Sequence, residues 1–485
     1  MSRPAVAILL FAMMWARAPA TPQSVPPADP AAYAADLAER RAKTAAALGP
    51  DTLLVLWSAP ARVYSGDMDY EYRQESNLLY LSGIEQPDTI FVLRTDGPAA
   101  ERASLFVRAS DPFRELWEGH VLTVDEVSSR SGVTSVTAEK ATEGFNRFVD
   151  RIFASPDRPS RLAVLASIDA TGATPASDEQ PHLAWARTIA QRYPGIDVVS
   201  AASVLSAQRQ IKTAYEQQIL RRSVAISAEA HIAGMKAARP GRWEYEVEAA
   251  IEYAFHAAGA LSPGYPSIVA SGANATTLHY EQSTRRMQAG DLLLVDAAGS
   301  YQGLTGDITR TYPVSGRFSP DQRALYEIVL EAQRAGIAAA TPGAGPGDVT
   351  KAVRRALGAG LLKIGLVTDP LASTGDSAQI DLWCPHGPIH GIGMDVHEPI
   401  DRLVPGVAFV VEPGLYVRSD TFARLSADPA QAALARAIAP AVARFRDLGV
   451  RVEDSFLMTV AGPENLSANA PRAVRDIEKI VGTSR

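Results

Sequence analysis

The sequence predicts an α/β amino-terminal domain followed by an α+β domain with pseudo-two-fold symmetry. Three observations carry that prediction. The chain has 485 residues, too many for one core. Short apolar runs alternate with helical patterns up to about residue 200. Beyond that point two helix-turn-helix patterns recur at a fixed spacing, and each leads into strand-like segments.

Composition is that of a globular protein, 47% apolar and 21% charged, with no sign of low complexity. Formal net charge is −7 and no basic stripe runs along a face, which argues against a nucleic acid partner. The first twenty residues differ from the rest. Arg3 supplies a positive start, Ala5 to Ala16 is an apolar run too short to span a bilayer, and Ala18-Pro19-Ala20 has the form of a cleavage site. Residues 1–20 therefore read as a secretory signal peptide cut before Thr21. That expectation makes the mature chain an exported one, periplasmic or secreted, with no membrane span left after processing. Losing Arg3 and Arg17 takes the formal charge from −7 to −9. Cys384 is the only cysteine, so no intrachain disulfide can form.

In chain order, residues 21–34 are proline-rich and read as a flexible leader, and the amino-terminal domain is expected over 35–205. An Ala-rich helical pattern runs to Leu48, and Thr52 to Trp57 (TLLVLW) reads as a buried strand. Leu78, Leu79 and Leu81 before Gly83 read as a strand-like run, as do Thr89 to Leu93, Ala103 to Val107 and Leu162 to Leu165. The second domain is expected over 206–475, with 476–485 as a tail. Its first helix shows Leu220, Val224, Ala228, Ile232 and Met235 at helical spacing and stops at Pro240-Gly241. Ser319-Pro320-Asp321-Gln322 has the form of a capping box with proline at the first helical position, and that helix stops at Pro342-Gly343. Glu246-Val247 follows the first stop and Asp348-Val349 the second, each 102 residues apart, as are the stops themselves. Two similar halves facing each other across a cleft are the expected result. Ala430 to Phe445 reads as an added surface helix.

The chemistry concentrates between Cys384 and Tyr416. His386, His390 and His397 lie among Gly387, Gly391 and Gly393, so they do not share a helix face. Glu412 follows the apolar run Phe409-Val410-Val411, where a carboxylate costs roughly several kcal/mol unless it is paired or bound to a metal. Asp296 ends a similar run in the first half. A tight turn at Gly303 to Gly306 would set Asp307 beside it, and such a pair repels unless a cation lies between. Glu453 falls in a strand pattern with Arg451 two residues earlier on the same face. Taken singly, these are ordinary core histidines and strand-end caps. Taken together, Asp296, Asp307, His390, Glu412 and Glu453 form a mostly hard-oxygen donor set. It suits Mn²⁺ first, with Zn²⁺ or Co²⁺ also fitting. Five side chains are too many for one tetrahedral zinc and suit two divalent ions about 3.5 Å apart.

The motifs VDAAG, GDITRTYPV, HGIGMDVHE, VEPGLY and RVEDSFLMT, in that order, resemble those of the pita-bread metallopeptidases, the creatinase and aminopeptidase P clan. LHYEQ around His279 matches as well. YRQESNLLYLSG and ELWEG around Trp117 resemble the creatinase-like first domain of the aminopeptidase P and prolidase branch, which methionine aminopeptidases lack. Creatinases have lost the metal ligands, whereas all five are present here. The resemblance implies that Asp296 holds one ion, Asp307 and Glu453 bridge both, and His390 and Glu412 complete the other. It implies Glu412 as general base, and His279 and His397 as catalytic residues touching the substrate. His386, Tyr416 and Arg451 would line the proline side of the cleft. Trp117 would close over the substrate, in some relatives from a neighbouring subunit, which implies a homo-oligomer. The expected partner is a proline-containing peptide and the expected activity that of a Xaa-Pro aminopeptidase. A prolidase is the alternative, and an inactive binding module the third reading. The loop from His397 to Glu412 is short for the family, so a more open rim is expected.

Overall fold

In the computed structural model the described residues are 27–96, 102–166 and 181–482. The expected signal peptide, and residues 21–26 of the leader, lie outside them. The first helix, Pro30–Leu48, begins inside the expected leader. Asp29 caps it by accepting from the Ala32 amide, and Pro30 opens it.

The amino-terminal domain is built on a six-stranded mixed sheet among the described residues. Its order is Ser135–Glu139, Ala103–Arg108, Ile90–Arg94, Thr52–Trp57, Arg161–Val164 and Asp197–Ser200. Thr52–Trp57 pairs antiparallel with Ile90–Arg94 on one side and parallel with Arg161–Val164 on the other. The alternation in the central strand sends Leu53 and Val55 to one face, against Phe145, Val149 and Ile152 of the helix Ala141–Ala154. Leu54 and Leu56 go to the opposite face.

The run Leu78, Leu79 and Leu81 is not a strand, as its sequence suggests, but part of a helix, Ser76–Ser82. The Glu75 carboxylate accepts from the Asn77 and Leu78 amides and so opens the helix, and Gly83 at φ +68° closes it. Seven residues are too few for a helical period to show, so three leucines in four positions read as a strand.

The second domain repeats one arrangement twice. Ala214–Ala237 packs on Glu244–Ala257, and Pro320–Ala339 packs on Pro346–Ile364. The second pair follows the first by 102 residues, from helix end 237 to 339 and from helix start 244 to 346. The capping box at Ser319 and Gln322 is formed. Each pair is backed by an antiparallel sheet. The first has the order Ile268–Ser271, Leu292–Asp296, Thr309–Pro313, and the second Ala408–Val411, Asp454–Thr459, Gly462–Asn465. The sheets meet where the Glu453 amide donates to the Thr309 carbonyl at 3.0 Å and the Asp307 amide to Ser455 Oγ at 2.9 Å.

One apolar cluster belongs to both domains. Leu54, Leu56 and Phe91 of the first sheet pack in it with Leu220, Val224, Ile308, Ile392 and Val410. The helix Ala202–Gln210 runs across the expected junction at 205/206. The Ala-rich segment is the helix Ala432–Phe445, with Ala435, Ile438, Val442 and Phe445 buried. The expected tail opens inside a docked helix, Val474–Ile480, whose Ile477 is buried. No described helix is long and apolar enough to cross a membrane.

Candidate metal centre

The five predicted ligands converge at the seam between the two halves. Asp296 ends its strand opposite Thr309, which brings Asp307, two residues earlier, alongside it. The turn that returns the chain is at Gln302-Gly303, both with positive φ, slightly before the expected position. Glu412 leaves the strand Ala408–Val411 from the other half. Glu453 lies not within a strand but in the two-residue step between Gly449–Arg451 and Asp454–Thr459. That step frees its side chain to enter the seam.

His390 Nε2 lies 3.5 Å from Glu412 Oε1, 3.7 Å from Asp307 Oδ2 and 3.8 Å from Glu453 Oε1. Its Nδ1 donates to the Gly391 carbonyl at 2.9 Å, so the Nε2 lone pair faces the carboxylates. Three overlapping groups have donor atoms within 4.8 Å of one another: Asp296, Asp307 and Glu453; His390, Glu412 and Glu453; and Asp307, His390 and His397. His397 enters through its ring, edge-on to His390 at 4.4 Å.

The charges are unbalanced in the way a cation site requires. Four carboxylates meet one arginine. Arg451 donates to Asp296 Oδ2 at 2.5 Å, to Tyr416 Oη at 2.9 Å and to Thr309 Oγ1 at 3.1 Å. Burial opposes charge on Asp296, but Arg451 and a hydrogen bond from Tyr265 hold its carboxyl below the usual range. The other three go the opposite way. Burial, and then the charge of Asp296, push Asp307 well above the carboxylate range. Burial and Asp307 do the same to Glu453. Burial raises Glu412 to about 8 even with Arg451 beside it. Glu453 Oε1 is buried and has no hydrogen-bond partner, while Oε2 accepts from Thr309 Oγ1 at 2.7 Å. An orphaned carboxylate oxygen among raised carboxyls and a neutral imidazole fits divalent cations.

The predicted substrate-side residues divide. His386 donates to or accepts from Tyr416 Oη at 2.9 Å, and its Nδ1 is 3.7 Å from Glu412. Burial, with Arg451, lowers its pKa to about 4, so it is neutral in ordinary conditions. His279 is exposed, near enough for its charge to act on His386 and His397. Trp117 lies on the helix Pro112–Glu118 of the first domain, 73% exposed, with Phe113 as its ring neighbour. The structure does not join it to the centre.

Three residues were missed by sequence reasoning. Tyr265 Oη bridges Asp296 (2.7 Å) and Asp307 (2.6 Å), its single proton shared between the two carboxyls. Thr309 links Glu453 to Arg451. Glu244, fully buried, accepts from the Ser271 amide and hydroxyl, from Tyr280 Oη and from the Arg285 amide, and so holds both ends of the loop that carries His279. Thr309 sits inside a quoted motif. Tyr265 and Glu244 gave no signal, because their partners are far along the chain.

Comparison with known proteins gives matches along nearly the whole chain. Residues 218–460 match the profile of "Metallopeptidase family M24", and residues 37–158 that of "Aminopeptidase P, N-terminal domain". The Xaa-Pro aminopeptidase of Haemophilus influenzae is 30% identical over 91% of this chain and 96% of its own. The structure of Pseudomonas aeruginosa aminopeptidase PepP superimposes with a TM-score of 0.79 at 31% identity, covering 94% of this chain and 98% of that one. A zinc-substituted Escherichia coli aminopeptidase P in complex with product gives 0.78 at 29%, covering 92% and 98%.

Proposed function

This chain belongs to metallopeptidase family M24, and on that premise we propose that it is a Xaa-Pro aminopeptidase, releasing the first residue from peptides with proline in second place. The observation that carries the proposal is the convergence of three buried carboxylates, the half-buried Glu412 and one imidazole on a shared centre, with Glu453 Oε1 left unpartnered. Relatives along nearly the whole chain are Xaa-Pro aminopeptidases, which favours this activity over that of a prolidase.

Asp296, Asp307, His390, Glu412 and Glu453 would hold two divalent cations, and we propose Mn²⁺ for them, a donor set that would also accept Zn²⁺ or Co²⁺. When bound, such ions lower the pKa of the attacking water and stabilise developing negative charge. The remaining work falls to side chains. Glu412, whose Oε1 lies 3.5 Å from His390 Nε2 within the ligand set, can take the proton of the attacking water and return it to the leaving proline nitrogen. Arg451 keeps Asp296 ionised and ties Tyr416 to the same frame. His386, held neutral and bonded to Tyr416 Oη at 2.9 Å, would give with it a wall without charge. A proline ring fits such a wall, and the tertiary amide has no N–H for a peptidase to grip. His279 and His397 stand on the solvent side, where they can hold the scissile carbonyl oxygen.

We also propose that the chain is exported, on the strength of its first twenty residues, and that it assembles as a homo-oligomer. Phe113, Leu116 and Trp117 form an exposed apolar face that a second copy would cover. The activity is tested by giving the Mn²⁺-loaded protein a tripeptide with proline second and the dipeptide of the same first two residues. Cleavage of the tripeptide is expected; turnover of the dipeptide alone would sink the aminopeptidase reading.

A further inference from the structure

His390 and His397 sit at the two ends of a short closed loop. Their neighbours Gly391 and Glu398 exchange backbone hydrogen bonds in both directions, at 2.8 and 2.9 Å. The Glu398 side chain turns into the ring so formed. Its Oε1 accepts from the Met394 amide at 3.1 Å. A Cβ at Gly393 would lie 2.5 Å from that oxygen and 2.7 Å from Lys212 Nζ, so only glycine leaves room.

Two cations reach Glu398 from outside the catalytic halves. Lys212 Nζ lies 2.6 Å from Oε2, and Arg209 Nη2 lies 2.7 Å from Oε1. All three side chains are buried, at 3%, 7% and 6% exposure for Lys212, Arg209 and Glu398. Arg209 also bonds Asp395 Oδ2 at 2.5 Å and Asn77 Oδ1 at 3.0 Å. The first domain completes the grip. Ser76 Oγ donates to Asp395 Oδ1 at 2.7 Å, and Arg73 donates to the Met394 carbonyl at 2.7 Å and the Gly264 carbonyl, next to Tyr265, at 3.1 Å.

We infer that Arg209 and Lys212, acting through Glu398 and Asp395, are positioning residues for His397. The linker and the first domain thereby set the geometry of a histidine that belongs to the second. The inference rests on the aminopeptidase reading for its kinetic consequence, though not for its structural one. A buried ion pair adds little to stability once its desolvation is counted. What this network does supply is a fixed place for the loop. His390 is tied independently through Gly391 and the strand Ala408–Val411, since the Val410 amide donates to the His390 carbonyl at 3.0 Å. Among the described residues His397 is held, apart from the clamp, only by the Gly391–Glu398 backbone pair beside it and has no tie to the strand of its own, so loosening the clamp moves it before His390.

Arg209→Met is the test variant, because Lys212 remains to balance Glu398 and no lone buried charge is created. Bound metal should be unchanged. The value of kcat on a proline-second tripeptide should fall by about ten- to a hundredfold, the range for groups that orient a catalytic side chain. In a His397→Ala background the same substitution should cost less than about twofold more, because the residue it orients is gone. Losses that multiply in the double variant would overturn the inference, as would loss of metal from Arg209→Met. Ser76→Ala, which removes one exposed-side hydrogen bond, gives a milder version of the same cycle if Arg209→Met folds poorly. If the unaltered protein leaves such peptides uncut, the aminopeptidase reading fails on its own. The clamp is then read from a crystal structure of Arg209→Met, in which the His397 ring should leave its 4.4 Å contact with His390; an unmoved ring overturns it.

Discussion

Glu453 and Tyr265 touch the same centre but should fail differently. Glu453→Ala removes a donor shared by two of the three candidate ligand groups. The expected result is loss of bound metal by elemental analysis, with activity reduced by more than the roughly ten- to hundredfold typical of an outer hydrogen-bond partner. Tyr265→Phe removes only the two bonds to Asp296 and Asp307, so metal affinity should drop within that range while metal-saturated protein stays active. The raised carboxyls also set a pH dependence. Metal ligands bind deprotonated, so cations compete with protons at Asp307, Glu453 and Glu412, and metal affinity should rise with pH, the Glu412 part of that rise ending at about 8. Stability of the metal-free protein should run the other way. The folded state holds protons that the unfolded chain has released above the ordinary glutamate range. The stability they contribute is complete below that range and lost as pH rises through about 8. Thermal melts of metal-free protein between pH 5 and 8.5 should show a falling Tm that added Mn²⁺ restores. The ligands were readable in the sequence because each acid interrupts an apolar run or a glycine cluster, where chemistry must justify it. Tyr265 and Thr309 were not, since hydroxyls are common in strands and loops and declare themselves only through partners across the fold, 42 and 144 residues away.

At the scale of elements, the repeat was the readable part. Proline-glycine stops and the residues after them hold the 102-residue offset because both helix pairs solve one packing problem. The helix Ser76–Ser82 was misread because its start depends on a glutamate cap, a weaker signal than Ser, Thr, Asp or Asn. One close approach joins the halves mechanically. A Cβ at Gly449, in the strand that leads to Arg451, would lie 1.9 Å from the Ala275 carbonyl oxygen in the short 3₁₀ helix Gly272–Thr276 before His279. Gly449→Ala should therefore destabilise the protein by about 1–3 kcal/mol, the usual cost of overpacking. It should also raise KM, because the His279 loop must move away from the cleft. Denaturant titration and steady-state kinetics check both, and an unchanged KM would separate the His279 loop from substrate binding.

Across the whole molecule, the two-domain plan was readable from length and alternation, but the shared core was not. Apolar residues such as Leu54 and Val410 look like members of separate cores until the sheets are seen face to face. Two expectations belong at this scale. The exported protein should begin at Thr21 by amino-terminal sequencing, and an intact Met1 would count against export. Mass in solution should exceed that of one chain and fall when Trp117 and Leu116 are both replaced by serine. Cys384 makes such assembly easy to follow. It is the chain's single thiol, 5% exposed, and burial lifts its pKa to about 11, so alkylating reagents should pass it by. A cysteine placed on the surface away from the Phe113, Leu116 and Trp117 face, as in Val460→Cys at a position 86% exposed, would then carry a fluorophore with no background from the rest of the protein. The chain is thus already suited to single-site labelling, and two differently coloured copies would report subunit exchange directly.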